Sequence, residues 1–148
     1  MKVSQAKPPA KLPNAHRLLD ASALLAWFQG EQGSEIVQQQ LAFGKTSIAA
    51  PNLTEVIGKL VSSGHALVNE VENDLETLSL RVIPFDERLA HAGAYLYARR
   101  NAYRLSLGDC ACIATGEGEG IEILTAEHDW AKLSGLRTTV RLIRDKTF

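Results

Sequence analysis

Apolar residues recur along this chain in short bursts, and the spacing within the bursts alternates between strand-like and helix-like. His16-Arg17-Leu18-Leu19-Asp20 is a brief apolar run ending in an acid and predicts a strand. From Ser22, SALLAWFQG predicts a helix stopped by Gly30. SEIVQQQLAF predicts a second helix, with Ser34 as its N-cap and Gly44 closing it. Thr46–Ala50 is the next strand, and Pro51 follows at a position where proline favours a helix start. In NLTEVIGKLVSSG, Leu53, Val56, Ile57, Leu60 and Val61 fall at spacings of three and four, leaving Glu55 off the centre of the apolar stripe. A helix over Asn69–Leu78 and a strand over Leu80–Pro84 come next. Asp86 caps ERLAHAGAYLYARRNA, whose core face is Leu89, Gly93, Leu96 and Tyr97. A further helix opens around Ser106–Asp109 and ends near Gly116. A strand over Ile121–Thr125, a short helix HDWAKLS and a last strand over Thr139–Ile143 complete the chain. Helices separate the strands and no hairpin turn joins any neighbouring pair. The fold class is therefore α/β, a three-layer α/β/α sandwich with a mainly parallel central sheet.

Composition narrows this picture. The 148 residues suit one domain, with no internal repeat or linker. Residues 1–14 hold Pro8, Pro9 and Pro13 and few large apolar side chains, which predicts a flexible arm ahead of a single domain over residues 15–148. That arm lacks the apolar centre of a secretory signal, and apolar stretches such as Leu24–Phe28 are too short to span a bilayer. A cytoplasmic protein with no membrane partner is the expectation. A 45% hydrophobic and 22% charged composition excludes a disordered chain. Cys110 and Cys112 would point to different faces of a helix and are too few for a zinc site, so they read as small core residues.

The net charge is −1, from sixteen basic and seventeen acidic residues. Binding nucleic acid would then require clustered cations. Arg99, Arg100 and Arg104 form one cluster and are candidate phosphate contacts. Arg137, Arg141, Arg144 and Lys146 form another at the C-terminus. Solvated helix ends or a tail would account for both clusters equally well.

The candidate chemistry is acidic. Asp20 ends the first strand, Glu127 and Asp129 follow the Ile121–Thr125 strand, and Asp109 and Glu55 lie in the first turns of helices. Open α/β sheets place ligands at the carboxyl ends of their strands. Each acid has a structural reading as well: a turn or cap for Asp20 and Asp109, exposure for Glu55, a cap for Glu127 or Asp129. Asp20 in LLDASALLAWF and Asp109 in LGDCACIA stand among apolar or small residues with no adjacent lysine or arginine. An ionised carboxylate left unpaired there would be costly, and a divalent cation would offset several at once. Oxygen donors without histidine or thiolate favour Mg²⁺, with Mn²⁺ possible, over zinc.

LLDASALLAWF, SIAAPNLTEVIGKL, LSLGDCACIAT and ILTAEHDWAKL, in that order and context, resemble the motifs of the PIN-domain family, most closely its VapC-like toxin branch. The likeness runs from about Leu18 to Ile143. It implies a PIN-like nuclease domain with Asp20, Glu55, Asp109 and Glu127 as catalytic, metal-holding acids. Where the family usually has Asp in the last motif this chain has Glu127, and Asp129 two residues on is an alternative metal ligand. Ser22 and Thr125 match hydroxyl positions beside the acids. The resemblance further implies Mg²⁺-dependent hydrolysis of RNA phosphodiesters leaving 5′-phosphate and 3′-hydroxyl ends, a cognate antitoxin and a homodimer. Apolar residues on the first two helices exceed what one core needs, which a partner groove or simple burial would explain. The competing readings are a catalytically weak or inactive PIN-like module that binds RNA or protein, and a phosphoacceptor receiver domain. The latter lacks its acidic pair after Leu19.

Overall fold

The computed structural model describes residues 11–64 and 67–144. Five strands are built from the apolar runs: β1 (Arg17–Leu19), β2 (Thr46–Ala49), β3 (Arg81–Ile83), β4 (Glu122–Thr125) and β5 (Val140–Leu142). They form one all-parallel sheet in the order β3-β2-β1-β4-β5. Leu19 lies level with Ile48 on one side and Leu124 on the other. Successive strand side chains point to opposite faces. Leu19, Ile48 and Leu124 accordingly join one core, and Leu18, Ile83 and Ile123 the other. The central strands are buried on both faces, as a parallel sheet requires.

Helices α1 (Ala21–Gln29), α2 (Ser34–Ala42), α3 (Ala50–Ser62) and α4 (Val68–Glu76) supply Leu24, Val37, Val56 and Val71 to the first core. Helices α5 (Glu87–Ala98), α6 (Arg100–Tyr103) and α7 (Leu107–Glu119) flank the second, which takes Leu96, Cys110, Cys112 and Ile113. The short 3₁₀ segment His128–Lys132 adds Trp130 to it. This is the expected α/β/α sandwich. Both cysteines are buried and free. No helix among the described residues is long and apolar enough to cross a membrane.

Three local expectations are corrected. Gly33, not Ser34, is the N-cap of α2. Its φ of +96° and the Ile143 backbone oxygen, 2.8 Å from where a Cβ would stand, leave room only for glycine. The single helix expected from Asp86 is broken at Arg99, and Arg104 closes the second piece in the left-handed region at φ 54°. Helix α7 runs through Gly116 to Glu119. Gly116 is a packing residue: a Cβ there would lie 2.6 Å from the Ile123 side chain. The left-handed Gly120 is the true stop.

Residues 1–10 of the expected arm lie outside the described residues. Leu12 is buried, and its N–H donates to Gln39 Oε1 at 2.8 Å, so packing begins ahead of residue 15. Arg17 is a buried cation on β1. It donates to Glu122 Oε1 at 2.7 Å, Gln40 Oε1 at 2.9 Å and the Pro13 carbonyl at 2.6 Å.

Candidate acidic site

Strand order reverses between β1 and β4, since the chain goes outward through β2 and β3 before returning to the other side of β1. Crevices at the carboxyl ends of the strands open at such a switch. Here a cleft of about 230 Å³ is lined by Asp20, Ser22, Glu55, Asp109 and Glu127. Four candidate acids from four separate segments therefore meet in one place.

Asp20 follows β1 and is the N-cap of α1. Its Oδ1 accepts from the Ala23 N–H at 2.9 Å, and its Oδ2 from Thr125 Oγ1 at 2.9 Å. Ser22 Oγ shares its hydrogen between the two carboxylate oxygens, at 2.8 and 2.9 Å. Ser22 Oγ also accepts from the Ala126 N–H at 3.0 Å, and Thr125 Oγ1 from the Glu127 N–H at 3.0 Å. The two hydroxyls thus tie the loop after β4 to the end of β1. Burial pushes the Asp20 carboxyl up from 3.8 to about 7, against the lowering by these hydrogen bonds, and the Asp109 charge adds to the rise.

Asp109 is the third residue of α7 and closes a capping box. Its Oδ2 accepts from the Ser106 N–H at 2.9 Å, while its own N–H donates to Ser106 Oγ at 3.1 Å. Among the described residues, Oδ1 carries no hydrogen bond. Burial first, then Glu55, raises the Asp109 carboxyl. Glu55 faces it from α3, its Oε1 3.0 Å from where a Cβ on Gly108 would stand. The Gly-Asp pair is thereby explained: a side chain at 108 would press on the carboxylate. Asn52 Nδ2 donates to the Gly108 carbonyl at 3.1 Å and binds the start of α3 to that of α7. Glu127 leaves the end of β4. Its carboxyl is raised by burial, then by Asp109 and Asp129.

Asp129 is placed elsewhere: it lines an adjoining cavity and pairs with Lys132 at 3.4 Å. Arg99, Arg100 and Arg104 do not line the acidic cleft either. Arg99 donates to Tyr103 and the Ser134 carbonyl, and Arg100 lies over the Tyr97 ring at 4.1 Å. The cations that do line the cleft are Lys59 and Arg144. Lys59 reaches Glu55 Oε2 at 2.9 Å, one helical turn along α3. An i, i+4 Glu–Lys spacing was the available signal for that pair. Arg144 lies past β5, and only the fold brings it to the site.

The donors are all oxygen. No histidine or thiol lines the cleft among the described residues, and no three metal-ligating side chains there form a ready cage. Mg²⁺ commonly binds one or two carboxylates and keeps several waters. Carboxylates that raise one another's pKa, with an Asp109 oxygen free of hydrogen bonds, fit that manner of binding.

The family model for the PIN domain matches residues 17–136. No curated protein sequence matches the chain. Among solved structures it is similar to a toxin–antitoxin complex from Klebsiella pneumoniae, at 20% identity and TM-score 0.66, over 88% of this chain and 99% of that one. It is also similar to VapBC2 from Rickettsia felis, bound to a promoter DNA fragment, at 13% identity and TM-score 0.65, over 86% and 98% of the two chains. A sarcin–ricin loop cleaving VapC toxin from Mycobacterium tuberculosis matches at 13% identity and TM-score 0.66, over 83% and 98%.

Proposed function

The chain belongs to the PIN domain family, and from that premise we propose that it is a divalent-metal-dependent endoribonuclease, the toxin of a toxin–antitoxin pair, working in the cytoplasm. The observation that carries this reading is the meeting of Asp20, Glu55, Asp109 and Glu127 around one cleft at the strand-order switch. With Glu31 the cleft lining holds five carboxylates against two cations, Lys59 and Arg144, each paired with one of them, so an added cation would offset the remaining charge.

Asp20 and Asp109 are the residues that would hold Mg²⁺ or Mn²⁺, with Glu55 and Glu127 beside them and Asp129 outside the cleft. When bound, the ion supplies charge neutralisation at the phosphate and a more acidic water. The protein's own part is placement. Ser22 and Thr125 hold the Asp20 carboxylate in one orientation. Ser106 fixes Oδ2 of Asp109 and leaves Oδ1 for the site. Glu127, with its carboxyl raised by burial, sits where it can orient or take a proton from an attacking water.

Partners follow from the surfaces. The groove between α5 and α7, with Leu107 72% exposed, supports a second copy of the chain as a homodimer partner. Partly buried Trp27, Phe28, Ile36 and Leu41 on or beside α1 and α2 support a docked antitoxin segment.

The test is Mg²⁺ titration of RNA cleavage by the wild type and by Asp109→Asn. The expected result is metal-dependent cleavage by the wild type and a loss of at least about a hundredfold in the variant, with an unchanged circular dichroism spectrum. Equal cleavage by the two proteins would remove the acidic site from the reaction. Metal-independent RNA binding without cleavage would instead mark an inactive binding module.

A further inference from the structure

Resting on the nuclease reading above, we infer that Arg144 and the cavity behind it seat the nucleotide next to the scissile phosphate, with the guanidinium on a backbone phosphate of RNA. Arg144 lines both the acidic cleft and a second cavity of about 530 Å³. That volume lies within the ~300–1,000 Å³ of small-ligand sites. One side chain thus marks the boundary between the acids and a neighbouring chamber.

Both cleft cations keep unused N–H groups, but only Arg144 also lines the second cavity. Lys59 is engaged by Glu55 at 2.9 Å. Arg144 uses Nη1 alone, toward Glu31 Oε2 at 3.2 Å and the Gln32 carbonyl at 3.3 Å. Among the described residues its Nε and Nη2 carry no hydrogen bond. Charge-assisted N–H···O bonds usually close to about 2.7–2.9 Å, as Arg17 and Arg141 do on Glu122 at 2.7 and 2.9 Å. The Glu31 contact is loose by that standard, and a fork of free N–H groups suits a phosphate.

The chamber suits the rest of a nucleotide. Ile36, Leu142 and Ile143 give it apolar walls for a base. His128 also lines it, and its Nε2 is buried without a hydrogen-bond partner, so a turn of the ring toward the chamber would let a base edge satisfy it. Lys132 and Arg144 are matched by Glu35 and Asp129 in the lining. A balanced wall favours a nucleoside with polar edges over a bare anion. Placement is fixed by Gly33: its contact with Ile143 holds the α1–α2 loop, which carries Glu31 and Gln32, against the end of β5.

The test uses a fluorescein-labelled octauridylate, Mg²⁺ and the Asp109→Asn protein, with binding read by anisotropy across a salt series. Adding Arg144→Ala is expected to weaken binding about tenfold or more and to lower the salt slope by about 0.7, the value for one single-strand phosphate. Glu31→Gln breaks the same ion pair but keeps the arginine, so it should bind as tightly or more tightly. His128→Ala should weaken binding with no change in slope. Unchanged affinity and slope in Arg144→Ala would overturn the inference, as would an equal loss in Glu31→Gln, which would make the arginine merely structural. Unchanged RNA binding with lost affinity for a co-purifying protein would assign the chamber to a peptide and overturn it too. If the parent binds RNA and the wild type cleaves it in any of these cases, the nuclease reading stands alone. If neither binding nor cleavage occurs, both readings fall.

Discussion

Without divalent metal at pH 8, replacing Asp20 by Asn is expected to stabilise the fold. The wild-type carboxyl is buried and raised from 3.8 to about 7, first by desolvation. An acid raised on folding binds more protons in the folded than in the unfolded state between those two values. Stability therefore falls as pH rises from about 3.8 through about 7, and levels off above. At about 1.36 kcal/mol per tenfold change, the full rise corresponds to about 4 kcal/mol. Asparagine removes the charge and can keep the hydrogen bonds. Its oxygen accepts from Ala23 and Ser22, and its amide can donate to Thr125 Oγ1. The threonine hydroxyl then turns toward Ser22 Oγ, already 3.4 Å away.

Allowing for imperfect matching of the amide, a gain of about 2–4 kcal/mol at pH 8 is expected, or roughly 6–12 °C in Tm for a domain of this size. Between pH 8 and pH 5 the advantage should shrink by about 2.5 kcal/mol, because the wild-type carboxyl is then protonated in the fold. Thermal unfolding in EDTA, followed by circular dichroism at both pH values, measures this. Adding Mg²⁺ at pH 8 should raise the wild-type Tm and leave the variant's nearly unchanged. An Asp20→Asn protein that melts below wild type in EDTA at pH 8, or a gap that does not depend on pH, would refute the argument that burial of this carboxylate is the dominant cost.

Glu127→Gln is expected to lower RNA cleavage more than tenfold while Asp129→Asn stays within about threefold, since only Glu127 lines the acidic cleft; the reverse ranking in single-turnover assays would move the fourth acid to Asp129. Lys59→Met takes away the cation paired with Glu55, so Mg²⁺ should bind severalfold more tightly by calorimetry, and weaker binding would show the lysine to be an aid to the metal. Gly33→Ala should destabilise by about 2–4 kcal/mol in urea unfolding, from its positive φ and the Ile143 contact; a change under about 0.5 kcal/mol would mean that the α1–α2 loop is not pinned there.

The order and type of the strands and of the longer helices followed from apolar spacing, because the central strands β1, β2 and β4 are largely buried between amphipathic helices, whereas the break that separates α6 from α5 left no such mark. What the pattern misjudged were glycines and arginines. Gly116 resembled a stop and is a close-packing residue, because its role depends on Ile123, seven positions on and on another element. Arg99, Arg100 and Arg104 attracted notice by their proximity in sequence, yet Arg99 turns to Tyr103 and Ser134, Arg100 lies over Tyr97, and none of the three lines the acidic cleft. Arg144 reaches the site through β5, an edge strand whose placement beside β4 no local spacing encodes. Arg17 was hidden for the same reason: its partner Glu122 is on the neighbouring strand.

The acids show why structural and chemical roles need not compete. In sequence, a helix cap and a metal-holding carboxylate are rival explanations for Asp20 and Asp109. In the fold the first role sets up the second. The capping bond on Asp109 occupies Oδ2 and so fixes the carboxylate plane, directing Oδ1 away from the helix turn. The cap on Asp20, joined by two hydroxyls from opposite sides of the strand-order switch, locks both its oxygens while burial keeps the ionised form costly. A helix start is well suited to this, because its free N–H groups hold a carboxylate still without neutralising it. A lysine or arginine in the same position would bring its own countercharge and leave no call for a cation. The site's preference for an added positive charge therefore resides in the choice of neutral donors around Asp20 and Asp109, and Ser22→Lys, which exchanges the hydroxyl on Asp20 for a cation, should abolish Mg²⁺ binding by calorimetry, retained binding being the result that refutes this.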